Sequence, residues 1–398
     1  MKLAERVKRI KPSPTIEIDS KVKQMKADGI DVIGFGAGEP DFDTPDFIKE
    51  AAITALRQGK TKYTPVGGIN ELKDAIREKL KRDNDLSYSR EEILVSAGAK
   101  HSLYNACQAL LEAGDEVIIP APYWVSYPDQ VLLNDAKPII VPTREENGFR
   151  LTPQELEKAI TKKTKVFILN SPSNPTGSAY SRKELEGLAE LLVQKNILCF
   201  ADEIYEKVVY DGFHQASIAS FNPQIRELTL TFNGASKAYS MTGWRMGYAA
   251  GTKELVQAMT KIQGQVTSNI NTPTQWASVE ALNGSQDFLK GWLIEFKKRR
   301  DFIVKAFNSI PGVTCTNPQG AFYVFPNVSA MFGKKYSGKT IKGSDDLATY
   351  LLEKALVAIV PGSGFGADRH IRLSYATSME NICKGMERIT KAFKELSY

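Results

Sequence analysis

The chain has 398 residues, 42% of them hydrophobic and 25% charged, and its formal net charge is +6 at pH 7. This length predicts two domains, because a single hydrophobic core rarely serves more than roughly 250–300 residues. The positive charge is spread out, without a basic block interleaved with aromatic residues, which argues against nucleic-acid binding. We expect no membrane span and no signal peptide, since no apolar run approaches about twenty residues and the N-terminus lacks an apolar region.

The four cysteines lie far apart in the sequence and form no C-x-x-C pair: Cys107, Cys199, Cys315 and Cys383. Cys107 and Cys199 fall within apolar patterns, where a free cysteine behaves as a small buried hydrophobe. The spacing therefore predicts a reducing, cytoplasmic setting and no structural metal site.

Helical patterns and one short strand occupy the first 90 residues. The apolar spacing predicts a helix over 16–28, a strand over 30–34, and helices over 46–58 and 69–82. Two stretches rich in Gly and Pro separate them and predict rigid loops, at 35–45 and 62–68.

Apolar strands then alternate with helices from residue 91 to residue 300. The predicted strands are 93–95, 116–119, 137–141, 166–169, 197–201, 228–232 and 248–250, and the predicted intervening helices include 100–111, 152–160 and 182–195. Such alternation is typical of a mostly parallel sheet with helices on both faces. Ligands of such sheets bind at the carboxyl ends of the strands.

The last hundred residues carry a different pattern. A long charged helix over 285–309 precedes predicted strands at 321–325 and 356–360 and predicted helices at 344–354 and 378–394. We therefore expect a large domain over 46–295 and a smaller α+β domain made of 1–45 and 296–398.

One lysine lies on a loop of small residues between two predicted core strands. Lys237 follows the strand 228–232, and Arg245 stands eight residues further on, just before the strand 248–250. A desolvated strand-end lysine is well placed to form a Schiff base with a carbonyl, and the arginine to hold an anion. Taken alone, Lys237 is equally well explained as a solvated loop residue and Arg245 as a structural one.

Other candidate groups follow other predicted strands. The segment Gly98-Ala99-Lys100 opens a helix, where free N–H groups bind anions. Trp124 lies on the loop 122–128 and either stacks on a flat ligand ring or packs beneath the loop. Asn174 lies between Pro172 and Pro175, in a turn typical of a cis X-Pro bond, so its amide is held rigidly.

Two charged residues in apolar strands require partners. Asp202 directly follows the strand 197–201, three residues before Tyr205, and its carboxylate suits either a pyridinium N–H or a helix cap. Arg372 lies in an apolar strand, and its planar guanidinium matches a carboxylate. A lysine, a carboxylate for a ring nitrogen, a rigid amide, a stacking ring and an anion site together are the parts that pyridoxal phosphate requires.

The motifs G-E-P-D-F-D-T-P, P-Y-W-x-S-Y-P, S-P-x-N-P-T-G, D-E-I-Y, S-K-A-x-x-M-T-G-W-R-x-G-Y and R-L-S-Y-A stand in this order. In these motifs the chain resembles the bacterial branch of the aspartate aminotransferase family, class I aminotransferases of pyridoxal-phosphate fold type I. The resemblance runs from about residue 10 to the C-terminus. It implies a large domain with a mostly parallel seven-stranded sheet flanked by helices, plus a smaller α+β domain.

The resemblance also implies roles for individual residues. Lys237 bonds the pyridoxal 5′-phosphate carbonyl and moves the substrate proton, and Asp202 pairs with the protonated ring nitrogen. Asn174 and Tyr205 bond the ring oxygen, which makes Tyr205 the third residue with a catalytic role. Trp124 stacks on the ring.

The remaining implied contacts concern the phosphate and the substrate. The phosphate is held by Arg245, Ser236, the segment Gly98-Ala99-Lys100, and Tyr63 of the partner subunit in a homodimer. The substrate α-carboxylate is held by Arg372, with Gly38, Trp124 and Asn174 beside it. For a distal carboxylate the resemblance points to Lys100 with Thr15. One departure is Gly234, because some relatives have a phosphate-binding serine three residues before the lysine.

The activity implied is reversible ping-pong transfer of the amino group from L-aspartate to 2-oxoglutarate, giving oxaloacetate and L-glutamate. A bifunctional aspartate/prephenate or aromatic aminotransferase is the alternative within the family. A lyase or decarboxylase on the same fold stays open. A transcription regulator built on this fold requires an added DNA-binding module, and only about ten residues precede the matching region.

Overall fold

The computed structural model describes residues 1–397. Its α-helices are α1 (Glu5–Arg9), α2 (Pro14–Ala27), α3 (Asp46–Arg57), α4 (Asn70–Asn84), α5 (Ala99–Leu110), α6 (Ser126–Leu133), α7 (Pro153–Ala159), α8 (Arg182–Lys195), α9 (Pro223–Leu228), α10 (Lys253–Val266), α11 (Thr272–Asn283), α12 (Phe288–Asn308), α13 (Ser344–Tyr350) and α14 (Met379–Glu395). Short 3₁₀ turns occur at Arg90–Glu92, Glu145–Asn147, Ile218–Ser220, Ser329–Met331 and Gly362–Phe365, and a π-helical turn at Leu351–Ala355.

The strands of the described chain are mostly short. They are β1 (Ile33–Gly34), β2 (Ile93–Ser96), β3 (Glu116–Ala121), β4 (Lys137–Pro142), β5 (Thr164–Asn170), β6 (Leu198–Asp202), β7 (Thr229–Gly234), β8 (Gly247–Ala250), β9 (Tyr323–Val324), β10 (Lys335–Tyr336), β11 (Lys339–Thr340), β12 (Val357–Ala358), β13 (Val360–Pro361) and β14 (Ile371–Ser374).

A seven-stranded sheet in the order β2-β8-β7-β6-β5-β3-β4 forms the centre of the fold. Only β8 runs against its neighbours; the pairs β3–β4, β3–β5, β5–β6 and β6–β7 are parallel. The predicted mostly parallel sheet is therefore confirmed. Because β2, β5, β6 and β7 end at the same edge, the loops that follow them meet there.

Both faces of this sheet are buried, which explains the continuous apolar runs of its strands. Within β2, Leu94 packs on the side of α5 and α10, with Leu103 and Val256. Its neighbours Ile93 and Val95 pack on the opposite face, in a core cluster that includes residues of α4 and α11. Successive side chains of one strand thus stabilise helical layers on opposite sides.

A second core lies around the small sheet β13-β14-β9 and the helices α12 and α14. Its buried residues include Phe296 and Phe307 of α12 and Phe393 of α14. The N-terminal segment joins it, because β1 pairs in parallel with β12. The domain boundaries predicted at residues 45 and 296 stay a prediction. Helix α12 runs unbroken through residue 296, so it does not mark a boundary there. Tyr398, the last residue of the predicted small domain, lies outside the described residues.

Three details differ from the expectations. The predicted strand 356–360 is two strands, β12 and β13, because the chain changes pairing partner at Ile359, from β1 to β14. The predicted loop 122–128 is wrong in its second half, where α6 begins at Ser126. Helices α9, α10 and α11 are not among the predicted elements, although α9 and α11 each begin with an Asn cap and a Pro in the first turn. Across residues 1–397, no helix is both long and apolar enough to cross a membrane.

Candidate active site

A cavity of about 430 Å³ opens at the carboxyl edge of the large sheet. It collects nearly all of the predicted site residues: Thr15, Gly38, Ala99, Lys100, Trp124, Asn174, Asp202, Tyr205, Ser236, Lys237, Arg245 and Arg372. Gly98 lies just outside this lining, beside Arg245. Tyr63 lies apart from it and is 90% exposed. The cis bonds expected around Asn174 are present, at Ser171-Pro172 and Asn174-Pro175.

Lys237 follows β7 and points its amine into the cavity, where Nζ donates a hydrogen bond to the Gly38 carbonyl. Burial lowers the pKa of this amine to about 8. Among charged neighbours, Glu39 opposes that shift, whereas Arg372 and Arg245 reinforce it. An appreciable fraction of the amine is therefore unprotonated near neutral pH, as a nucleophile or base requires.

Close backbone packing shapes the lysine loop. A Cβ atom on Gly234 would lie 2.7 Å from the Met246 carbonyl oxygen, and one on Gly247 would lie 2.1 Å from the Ala99 nitrogen. A serine at position 234 would therefore force β7 and β8 apart. The lining hydroxyl of this loop comes instead from Ser236, which is buried and borders the cavity.

The turn before α5 forms one end of the cavity. Gly98 precedes the helix with a φ of +84°, and a Cβ there would lie 2.3 Å from Arg245 Nη2. Arg245 is held over this turn by hydrogen bonds to the carbonyls of Thr242 (2.9 Å) and Ala97 (3.2 Å). A helix N-terminus beside a guanidinium binds anions such as phosphate.

Asp202 is the last residue of β6 and is only 4% exposed. Its carboxylate accepts hydrogen bonds from the Tyr127 hydroxyl (2.6 Å) and the Ile204 N–H (3.2 Å). Burial raises the pKa of Asp202, and the bond from Tyr127 opposes that rise. A buried carboxylate of this kind gains from a charged N–H partner in the cavity.

Arg372 lies in β14 at 1% exposure. Its Nη1 donates to Asn174 Oδ1 (3.0 Å) and its Nη2 to the Gly36 carbonyl (2.6 Å), but its buried Nε has no partner within residues 1–397. The guanidinium lies over the Tyr323 ring, 4.6 Å from its centroid. Burial lowers the pKa of Arg372 from its ordinary value.

The cavity carries an excess of unpaired positive charge. In the described chain no carboxylate forms an ion pair with any of its four central cations, Lys100, Lys237, Arg245 and Arg372. Asp19, an acid of the lining, is paired with Lys23 at 2.7 Å. Arg372 is buried, and a buried cation without a counterion is costly, so this cavity is suited to anionic ligands.

Several lining residues are not predicted from the sequence, among them Tyr127, Tyr323, Glu39 and Thr242. Tyr127 donates to Asp202, Tyr323 shares a 2.7 Å hydrogen bond with Tyr205, and Glu39 accepts from Thr242 at 2.6 Å. A signal existed for Tyr127, since it stands three residues after Trp124, the spacing that brings two residues to one side of a helical turn. Glu39 is adjacent to Gly38, although nothing in the sequence pairs it with Thr242.

The chain matches the family of class I and II aminotransferases over residues 30–389. It is 50% identical to an aspartate aminotransferase of Bacillus sp. (strain YM-2), covering 98% of this chain and 99% of that one. It is 49% identical to a probable aspartate/prephenate aminotransferase of Rickettsia typhi, covering 99% of each. The crystal structure of the aspartate aminotransferase from Rhizobium meliloti superposes with a TM-score of 0.96 at 48% identity, covering 100% of both chains.

The chain therefore belongs to the class I and II aminotransferases, which are enzymes dependent on pyridoxal phosphate. The residues of the cavity fit that cofactor. The Lys237 amine, which has no acidic partner in the described chain, the Asp202 carboxylate and the Arg245 guanidinium all border the same space. The orphaned Nε of Arg372 leaves a further donor for a bound carboxylate. The fold type I architecture expected from the resemblance is confirmed by the close structural match.

We expect Tyr127→Phe to weaken cofactor binding and amino transfer about 10- to 100-fold, since a hydrogen bond to a charged group contributes roughly 1.5–3 kcal/mol. Loss of this bond raises the pKa of Asp202 further, so the carboxylate holds a protonated ring nitrogen less firmly. The cofactor dissociation constant and kcat/KM measure the effect. Tyr123→Phe, on the same loop, is the matched control, and equal values for both variants would contradict the assignment.

Proposed function

We propose that the chain is an aspartate aminotransferase that transfers the amino group of L-aspartate reversibly to 2-oxoglutarate, giving oxaloacetate and L-glutamate. The observation that carries this proposal is the pair of cations Arg372 and Lys100, which line one cavity beside Lys237 without acidic partners in the described chain. Two cations suit a substrate with two carboxylates. The relatives named as aspartate aminotransferases support the same substrate class.

When bound, pyridoxal phosphate supplies an electron sink that stabilises negative charge developing on the substrate α-carbon. We assign its contacts to residues of one cavity: Lys237 would bond its carbonyl carbon, and Asp202 would pair with its ring nitrogen. Asn174 and Tyr205 would bond its ring oxygen, and Trp124 would stack on its ring. Arg245, Ser236 and the segment Gly98-Ala99-Lys100 would hold its phosphate.

Lys237 is the base in this proposal. With a pKa of about 8, about a tenth of a free amine is unprotonated at pH 7. That fraction removes the proton from the substrate α-carbon, and the resulting ammonium returns a proton later. The hydrogen bond to the Gly38 carbonyl orients Nζ in the cavity.

Arg372 orients the substrate through its α-carboxylate. Its hydrogen bonds to Asn174 and Gly36 fix the plane of the guanidinium, and the unpartnered Nε leaves a donor free. Fixing the carboxylate holds the α-carbon at one position relative to Lys237, which lowers the entropic part of the barrier.

Lys100 and Thr15 remain our assignment for the distal carboxylate. Lys100 Nζ lies 4.8 Å from the centroid of the Trp124 ring, so a cation–π contact stabilises the ammonium. Thr15 reaches the lining from the first turn of α2, where its hydroxyl shares a 2.8 Å hydrogen bond with Ser13.

Single-turnover spectroscopy tests the substrate assignment. L-aspartate and L-glutamate should shift the visible absorption of the holoenzyme faster than L-phenylalanine or L-tyrosine, and Lys237→Ala should show no turnover.

Lys100→Met should lower kcat/KM for aspartate about 10- to 100-fold and for phenylalanine at most about threefold, because only aspartate forms an ion pair with Lys100. Equal losses on both substrates contradict the assignment.

A relative supports prephenate as a second substrate of this enzyme. The protein of Rickettsia typhi is named a probable aspartate/prephenate aminotransferase and is nearly as similar to this chain as the Bacillus enzyme. Prephenate has two carboxylates, so the same pair of cations suits it. The same spectroscopy with prephenate as amino acceptor, or with aromatic 2-oxo acids, distinguishes a bifunctional enzyme from one confined to aspartate and glutamate.

We also propose that the chain forms a homodimer. An open groove borders Arg245 and Trp244, and exposed apolar side chains lie in or near it: Ile53, Leu56 and Val266, with Tyr63 exposed on a nearby loop. A second copy covering this groove would bury them and bring Tyr63 of the partner subunit toward the phosphate end.

Sedimentation should give a mass twice 44.1 kDa, and Leu56→Asp should shift the protein toward monomers, since a buried carboxylate in an apolar interface is costly. The monomeric form should bind pyridoxal phosphate more weakly. A wild-type monomer at micromolar concentration with unimpaired cofactor binding would disprove the dimer.

Finally, we propose a cytoplasmic location for this enzyme. All four cysteines are free, and Cys107, Cys199 and Cys315 are buried, as expected of a chain that matures in a reducing compartment. Cell fractionation followed by immunodetection tests this location, and recovery in the periplasmic fraction refutes it.

A further inference from the structure

Two loops face each other at the cavity, residues 36–44 after β1 and residues 236–245 after β7. Glu39 Oε2 accepts a 2.6 Å hydrogen bond from the Thr242 hydroxyl. Thr44 donates to the Ser240 carbonyl (2.7 Å) and accepts from Trp244 Nε1 (3.1 Å). The position of the second loop, which carries the active-site lysine, therefore depends on contacts with the first.

The first loop is itself fixed from behind by α12. Asp41 forms a 2.7 Å ion pair with the buried Arg299, and Phe42 stacks on Trp292 with ring centroids 4.8 Å apart and planes 3° apart. The contacts with α12 fix the segment that carries Glu39. The Glu39 carboxylate is therefore positioned at the rim of the cavity.

The charged groups around the Lys237 amine come from four segments of the chain, and the ring centroids of Tyr205 and Phe322 lie 5.8 Å and 5.9 Å from its Nζ atom. Arg372 of β14 and Arg245 of the same loop disfavour the ammonium, whereas Glu39 and Asp202 of β6 favour it. Of these charges Glu39 acts most strongly. Its own charged surroundings include Lys23 of α2, and within residues 1–397 it forms no ion pair.

We propose that Glu39 is a positioning residue of the amino-transfer site: it holds the Lys237 loop through Thr242 and places its carboxylate in the cavity into which the Lys237 amine points, next to the Gly38 carbonyl that this amine bonds. This role deepens the proposed function and rests on it, because it sets the pH range in which Lys237 alternates between base and acid. Without the Glu39 charge, the amine loses its proton at lower pH.

The direct test uses the cofactor-free, full-length chain and needs no substrate. Acetic anhydride labels unprotonated amines, and peptide mass spectrometry across pH 6–10 gives the labelling midpoint of Lys237. We expect Glu39→Gln, which retains an acceptor for Thr242, to lower that midpoint by about 0.5–1 pH unit, or about three- to tenfold in labelling rate below the midpoint. Since Glu39 is exposed at the rim, high salt should shrink the difference.

Two variants serve as controls. Glu17→Gln removes the same charge from the exposed side of α2 and should leave the Lys237 midpoint unchanged. Glu39→Asp retains the charge and should restore most of the wild-type midpoint, which a purely structural role for the side chain does not predict. Circular dichroism establishes that each variant is folded before it is labelled.

The holoenzyme provides an independent reading. The acid limb of its pH–kcat profile, which reports the amine after substrate has displaced it from the cofactor, should also move to lower pH in Glu39→Gln. A Glu39→Gln midpoint within about 0.2 units of wild type, or an equal shift in Glu17→Gln, overturns the proposal. Because labelling requires no amino acid, a wrong substrate assignment leaves this test intact, and the two failures remain distinguishable.

Discussion

Desolvation of one amine among positive charges is the constraint on which the site depends. Burial, Arg372 and Arg245 favour the neutral form of Lys237, and Glu39 and Asp202 favour the charged form. The balance leaves its pKa at about 8, where both forms are available near neutral pH. A lysine with an ordinary pKa of about 10.4 would be almost wholly protonated there and would neither attack a carbonyl nor accept a proton.

The fold supplies this environment by bringing distant segments to one edge of a sheet. Lys237 follows β7, Asp202 ends β6, and Arg372 comes from the second core. Close approach of backbones completes the arrangement at Gly234 and Gly247, where even one added carbon would meet neighbouring main-chain atoms. The turn before α5 packs closely against β8 for the same reason.

Much of this site was predictable from the residues. Lys237, Asp202 and Asn174 each follow an apolar strand, and parallel strands place their carboxyl ends together. The pairing of Tyr127 with Asp202 was not predictable in the same way, because it depends on α6 beginning at Ser126, within a segment that reads as a loop. Glu39 and Thr242 lie 203 residues apart, and no local pattern links them.

The second core was harder to foresee in detail. Apolar residues at 356–360 indicate a strand, but periodicity does not reveal that the chain leaves β1 and pairs with β14 after Ile359.

The role predicted for Tyr63 depends on a second copy of the chain. Its predicted place beside the phosphate belongs to an assembly of two chains, and in a single chain its side chain is exposed.

We propose that Lys237 is the lysine that bonds the cofactor, and borohydride reduction of the holoenzyme identifies that lysine. Reducing the holoenzyme fixes the carbon–nitrogen bond, and peptide mass spectrometry then locates the added pyridoxyl group. We expect the modification on the peptide that contains Lys237 and on no other lysine of the cavity lining. Modification of Lys100 or Lys23 instead, with Lys237 unmodified, would contradict it.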